Sequence, residues 1–120
     1  MGTNARPELP RFIGLVTDTN TSPWATWLAI TALGELKLEP QLVVPALTNC
    51  LLSSVNAIRF SAAQALGQFG GEARSAVPAL VRALGDPYPD NQRSASNALW
   101  GIDPQALERF NARAGEAGKE

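Results

Sequence analysis

The chain has 120 residues, of which ten are basic and eleven acidic, so its net charge is −1 and it lacks the basic excess that nucleic-acid binding usually requires. It contains no histidine and one cysteine, which excludes histidine-dependent triads, ordinary zinc sites and an internal disulfide. We therefore expect a single domain over residues 1–120 that is not an enzyme, uses no cofactor or metal, and has no nucleic-acid partner.

The sequence repeats itself every 33 residues. The Ala-Leu pairs at Ala32–Leu33, Ala65–Leu66 and Ala98–Leu99 share this spacing, and Val44–Leu47 returns as Val77–Leu80 with the same letters, Val-Pro-Ala-Leu. A fixed period of this length is typical of an architecture of stacked structural units. We predict three repeats, at about 9–43, 44–76 and 77–103, followed by a terminal helix over about 104–114 and a frayed tail over 115–120.

The first repeat starts with a weaker copy of that motif at Leu9–Phe12, 35 residues before Val44. The two extra residues are predicted to lie in a loop within 18–22. Pro10 marks a helix start, because the first turn of a helix does not use the N–H that proline lacks. Ser22 is the expected cap of a second helix, which carries an apolar stripe from Ala25 to Leu36.

The second and third repeats follow the same plan. Pro45 and Pro78 are predicted to mark the starts of their first helices. The turns are expected at Ser53–Asn56 and at Gly85–Asp90, with Asn56 and either Asp90 or Asn91 capping the second helices. Gly70–Gly71 is the predicted end of the second helix of the second repeat, since glycine tolerates the left-handed conformation found there.

The third repeat has the most diagnostic pattern. It reads Val77-Pro78-Ala79-Leu80-Val81-x-x-Leu84, then Asp86-Pro87-x-x-Asp90, then Arg93-Ser94-Ala95-x-x-Ala98-Leu99. This order resembles the HEAT-like repeats of the type found in phycobilin lyases, and Ile58–Gly67 resembles them too. An ankyrin assignment fails because its Thr-Pro-Leu-His motif needs histidine. The resemblance implies an all-α fold, a right-handed α-solenoid of three helical hairpins plus a C-terminal helix.

The resemblance also implies contacts and functions. An Asp–Arg contact often ties neighbouring turns in the family, and Ser53 and Ser54 depart from that pattern between the first two repeats. The family implies a non-catalytic scaffold that binds a protein or peptide. An accessory protein that handles a ligand or chromophore is the alternative, although three short repeats can hardly enclose a cavity.

The second helices of such a stack lie side by side, so residues 33 apart form rows across one face. One row is Trp27, Phe60 and Arg93, and aromatic and arginine side chains supply most of the anchoring energy at protein interfaces. The predicted partner-binding residues are these three together with a polar row and one further tryptophan: Trp24, Trp27, Thr31, Phe60, Gln64, Arg93 and Asn97.

Another interpretation of Trp24 and Trp27 is that they fill the edge of the first repeat beneath Leu9–Phe12. Trp100 lies 33 residues after Gly67 and 66 after Gly34, so it replaces a glycine that the first two repeats share. We expect it to pack on the terminal helix at Leu107 and Phe110. The chain is expected to be a fragment of a longer array, in which case exposed ends would allow end-to-end self-association.

Two further features bear on location. No apolar run reaches the ~18 residues of a membrane span, and the N-terminus has no signal pattern. These features predict a soluble protein, cytoplasmic by default, with its compartment undetermined.

Cys50 lies between Leu47 and Leu51 and is interpreted as a core residue, not as a reactive thiol.

Overall fold

The computed structural model describes residues 9–17 and 22–118, and within them it contains helices and no strand. Of the predicted loop insertion within 18–22, residues 18–21 lie outside the described residues, as do the side chains of Leu9 and Phe12. The elements are α1 (Leu9–Thr17), α2 (Pro23–Leu36), α3 (Pro40–Cys50), α4 (Asn56–Phe69), a 3₁₀ segment (Gly70–Ala76), α5 (Val77–Ala83), α6 (Pro89–Ile102) and α7 (Pro104–Gly118). The predicted all-α solenoid is confirmed.

The helices pair as hairpins and the hairpins stack. Helix α1 packs on α2, α3 on α4, and α5 on α6, while α2, α4 and α6 pack side by side in that order. The stack is elongated, with principal extents of 56 × 27 × 17 Å. Leu33, Leu66 and Leu99 are fully buried. Residues 33 apart therefore occupy equivalent positions in one continuous core.

The prolines mark the helix starts with one exception. Pro78 lies in the first turn of α5, as predicted. Pro45 does not start a helix, because α3 already begins at Pro40 and Pro45 lies inside it. Glu39, which precedes α3 with a left-handed φ of 48°, turns the chain at this earlier point. The first helix of the second repeat therefore begins near residue 40 and not near residue 44.

The caps also differ from prediction. Ser22 precedes α2, but its side chain makes no capping hydrogen bond. The cap positions of α4 and α6 belong to Val55 and Tyr88, so Asn56, Asp90 and Asn91 lie inside the helices.

Two helix ends can be compared with the sequence. Helix α4 ends where predicted, at Gly70, which has a φ of 61°. Helix α7 continues to Gly118, past the predicted end at 114 and through most of the predicted tail.

Glycines set the spacing of the second helices. A Cβ at Gly34 would lie 2.9 Å from the Cβ of Ala65, and a Cβ at Gly67 would lie 3.1 Å from the Cα of Ala98. Only a residue without a side chain allows α2, α4 and α6 to approach this closely.

Trp100 is the residue of α6 at the position of Gly34 in α2 and Gly67 in α4. It is 63% exposed. Most of its surface is therefore in solvent, and the expectation that it packs on the terminal helix is wrong for that part.

A buried ion pair ties the third repeat to the second. The Nε of Arg59 in α4 donates to Oδ2 of Asp86 at 2.7 Å, and its Nη2 donates to Oδ1 at 3.2 Å. Arg59 also donates to the carbonyl of Ser53 at 2.9 Å, so one guanidinium holds the turns of both repeats. This is the Asp–Arg contact that the resemblance implies, and the first junction has Thr26 and Ser53 at the equivalent positions.

Cys50 lies in the core, with its thiol donating to the carbonyl of Val16 at 3.5 Å. Burial raises the pKa of this thiol to about 11. At about pH 8 we expect iodoacetamide to alkylate Cys50 roughly 100-fold more slowly than a free cysteine, because the thiolate is the reactive form. Mass spectrometry over time would measure the rate, and the rate should rise to that of a free cysteine in concentrated guanidinium chloride. Equal rates in the two conditions would contradict the packing described.

Candidate binding groove

Helices α4 and α6 leave a groove of about 480 Å³ between them on the face formed by the second helices. Gly67 and Ala98 form its floor, where the two helices come closest. Longer side chains rise on both sides. The lining, which we call the α4–α6 groove, consists of Phe60, Gln64, Gly67 and Gln68 from α4 and Asp90, Arg93, Ser94, Asn97 and Ala98 from α6.

The groove is open because of one difference between the two helix junctions. Between α2 and α4, the Gln68 side chain lies over Gly34, with its Oε1 only 2.6 Å from where a Cβ of that residue would be. The residue 33 positions after Gln68 is Gly101, which has no side chain to place over Gly67. The space that Gln68 fills at the first junction therefore remains free at the second.

Four of the seven predicted residues line the groove, namely Phe60, Gln64, Arg93 and Asn97. The three predicted residues on α2 do not. Thr31 donates its hydroxyl to the carbonyl of Trp27 at 3.0 Å, within its own helix.

The two tryptophans of α2 are exposed. Trp24 is 68% exposed and Trp27 is 45% exposed. Described residues therefore leave much of both rings in solvent, and the interpretation that they fill the edge of the first repeat is not supported.

Sequence reasoning missed Asp90 and Ser94. The hydroxyl of Ser94 donates to the carbonyl of Phe60 at 3.0 Å and so joins α6 to α4 beside the groove. Asp90 was interpreted only as a cap or a solvated charge. Its position, two periods after Trp24, is the signal that would have placed it on this face.

Three carboxamides lie along the lining. Those of Gln64, Gln68 and Asn97 make no hydrogen bond to another described residue. The Gln68 carboxamide lies over Gly34, on the side of α2. The charged groups of the lining are Arg93 and Asp90, whose Nη1 and Oδ1 lie 3.4 Å apart with both side chains more than two-thirds exposed. The groove thus offers an aromatic ring, the amides of Gln64 and Asn97, and a solvated ion pair whose charges cancel.

Among the described residues, no group of histidine, cysteine or acidic side chains is arranged to hold a metal ion. No helix in the described ranges has both the length and the apolar character needed to cross a membrane.

Comparison with known proteins gives one match. A family model described as HEAT repeats matches residues 9–100, which is most of the chain and includes α1 to most of α6. No curated protein matches the chain.

Proposed function

The chain belongs to the HEAT-repeat family, and we propose that it is a non-catalytic scaffold that binds a protein or peptide segment in the α4–α6 groove. HEAT repeats commonly serve as protein-interaction scaffolds, and the family is generally non-catalytic. The observation that carries the proposal is the convergence of Phe60, Arg93 and the carboxamides of Gln64 and Asn97 on one open groove.

The composition of the groove supports a protein partner. Phe60 is half-buried and Arg93 is exposed, and residues of these two types are frequent anchors at protein interfaces. The exposed rings of Trp24 and Trp27 on α2 extend the same face beyond the groove. A partner longer than the groove would therefore have further aromatic surface to contact.

A small ligand fits the site less well. The volume of about 480 Å³ is within the usual range, but small-molecule sites bury most of the ligand surface. The side chains of Gln64, Gln68, Arg93 and Asn97 are exposed, so they border the groove without closing it. This arrangement favours an interaction scaffold over an accessory protein that handles a ligand or chromophore.

Photo-crosslinking would identify the partner. We expect p-benzoylphenylalanine in place of Gln64 to capture a protein from cells that produce the chain, and the same group in place of the exposed Leu52 to capture none. With the captured protein purified, Phe60→Ala should weaken binding about 30-fold, which corresponds to a hot-spot loss of about 2 kcal/mol. Titration calorimetry would measure both affinities.

A variant in which a side chain fills the groove is a more direct test than Phe60→Ala. Gly101→Gln would place over Gly67 the side chain that already covers Gly34 at the first junction, and its Cβ would meet only the carbonyl of Gly67 at an ordinary 3.5 Å. It should abolish binding without lowering stability, whereas Gly71→Gln, where a Cβ meets nothing within 4 Å, should leave affinity unchanged. Full affinity in the filled variant would overturn the proposal.

A further inference from the structure

We propose that two copies of the chain form a dimer in which helix α2 of one copy packs antiparallel on α2 of the other. The contact surface, which we call the α2 edge, consists of Trp24, Leu28, Thr31 and Glu35. It lies on the far side of α2 from α4 and away from the α4–α6 groove, so this inference does not depend on the proposed function.

The 33-residue spacing shows that the α2 edge is the side on which the other second helices have a neighbour. Ser94, which is equivalent to Leu28, donates its hydroxyl from α6 to the carbonyl of Phe60 on α4. Ser94 is 5% exposed and Ser61, the equivalent residue of α4, is 4% exposed, whereas Leu28 is 47% exposed. Among the described residues, α2 therefore has no neighbour on the side where α4 and α6 each have one.

The α2 edge is apolar although it is in solvent. Trp24 is 68% exposed, and Glu35 is the one charged residue among the 14 of α2. A helix that is apolar on all sides is normally buried, and the outer face of a terminal repeat is normally polar. The equivalent surfaces, which are covered, have small or polar residues: Ala57, Ser61, Gln64 and Gln68 on α4, and Asp90, Ser94, Asn97 and Gly101 on α6. The α2 edge thus has the composition of a surface that another apolar surface covers.

The spacing of the α2 edge makes it complementary to itself. Its four residues are separated by four, three and four positions, which is the spacing of the contact positions in paired helices. When two copies of α2 run antiparallel, Trp24 lies opposite Glu35 and Leu28 lies opposite Thr31, because both pairs are centred on the same point of the helix. A second copy therefore matches the edge along its whole length.

Glu35 determines the direction of the pairing. In a parallel pair the two Glu35 carboxylates would lie next to each other and repel. In an antiparallel pair each carboxylate lies at the start of the other α2, where the first backbone N–H groups have no acceptor within the helix and the helix dipole favours negative charge. The side chain of Ser22, at that same end, makes no capping hydrogen bond. The carboxylate of the other copy would supply an acceptor there.

Trp100 argues against copies that stack end to end. Such a stack would place α2 of one copy beside α6 of the next. Gly34 and Gly67 allow the following second helix to come into close contact, but Trp100 has their position on α6 and is 63% exposed. Its side chain would keep α2 of another copy from approaching at the spacing of the repeats. We therefore infer a pairing that uses the same surface on both copies and closes at two.

Analytical ultracentrifugation of the chain over a range of concentrations would measure the association. A helix of 14 residues is about 21 Å long, so the interface is at the small end of specific interfaces. We expect a monomer–dimer equilibrium with a dissociation constant in the micromolar range. A chain that stays monomeric at high micromolar concentration, or that forms species growing beyond the dimer, would overturn the proposal.

Substitutions locate the interface. Leu28→Glu should weaken the dimer about tenfold or more, because it places two charges at the centre of an apolar contact. Leu52→Glu makes the same change at a leucine that is 77% exposed outside the α2 edge, and it should leave the dimer unchanged. Trp24→Ala removes a mostly exposed ring, so it tests the same surface with little effect on folding, and it should also weaken the dimer about tenfold. The matched control is Trp100→Ala. A dimer that survives Trp24→Ala, or that is lost in Trp100→Ala, would contradict the assignment to the α2 edge.

Glu35→Gln tests the direction of the pairing. In the antiparallel dimer it removes two interactions between a carboxylate and a helix N-terminus, so association should weaken about threefold to tenfold. In a parallel dimer the same substitution would remove a repulsion and strengthen association. Stronger or unchanged association of Glu35→Gln would therefore overturn the antiparallel arrangement.

Discussion

Replacing Asp86 with alanine is expected to lower the free energy of unfolding by about 3 kcal/mol, because it removes one partner of a buried ion pair. The Asp86 side chain is 6% exposed and that of Arg59 is 16% exposed. Besides the two bonds from Arg59, the carboxylate accepts the backbone N–H of Tyr88 at 3.0 Å and the side-chain amide of Asn91 at 3.3 Å. The variant would leave a guanidinium buried without a counter-charge.

An exposed ion pair provides the matched control. Asp90 and Arg93 are also an acidic and a basic residue in contact, but their side chains are 77% and 71% exposed. Asp90→Ala should therefore cost less than about 1 kcal/mol. Urea denaturation of both variants would measure the difference. Equal losses would show that the Arg59–Asp86 pair does not hold the second and third repeats together.

The same pair predicts how stability depends on pH. Hydrogen bonding to Arg59 lowers the pKa of Asp86 from its ordinary value, against the opposing effect of burial. A lowered folded-state pKa means that the stabilisation is complete above the unfolded pKa of about 3.9 and is lost as the pH falls through the folded value. The stability difference between the parent chain and Asp86→Asn should therefore shrink below about pH 4. A constant difference would contradict this account.

The repeat register explains how much of the fold was predictable. Residues 33 apart occupy equivalent environments, so Leu33, Leu66 and Leu99 identified the core and the order of the helices. The start of α3 was not predictable in this way. Pro40 and Pro45 both satisfy the rule for a first helical turn, and the choice between them depends on the left-handed backbone at Glu39, which the residue type does not favour.

The candidate site was predictable on two helices and not on the third. Register placed Phe60, Gln64, Arg93 and Asn97 on one face, and these four line the groove. The 33-residue spacing does not distinguish the α2–α4 junction from the α4–α6 junction, so the prediction from it also included Thr31 on α2. What distinguishes the junctions is the side chain that lies over the close-approach glycine: Gln68 at the first, and none from Gly101 at the second.

Replacing Gly34 with valine is expected to lower the free energy of unfolding by about 3 kcal/mol, because α2 and α4 are in contact at this residue. Its Cβ would lie 2.9 Å from the Cβ of Ala65 and 3.1 Å from the Cα of Ala65, both fixed by the backbone of α4. The Oε1 of Gln68, at 2.6 Å, belongs to a flexible side chain and can move. The helices would have to separate, and thermal and chemical denaturation would measure the loss.

Alanine substitutions at two helical glycines separate this steric effect from helix propensity. Gly14→Ala in α1 meets nothing within 4 Å, so it should stabilise the chain by up to ~1 kcal/mol, the usual advantage of alanine over glycine. Gly34→Ala receives the same advantage but must move Ala65, so a net loss of ~1 kcal/mol is expected. Because the chemical change is identical, opposite signs can arise only from the surroundings of the two glycines. Stabilisation by both substitutions would mean that α2 and α4 lie farther apart than described.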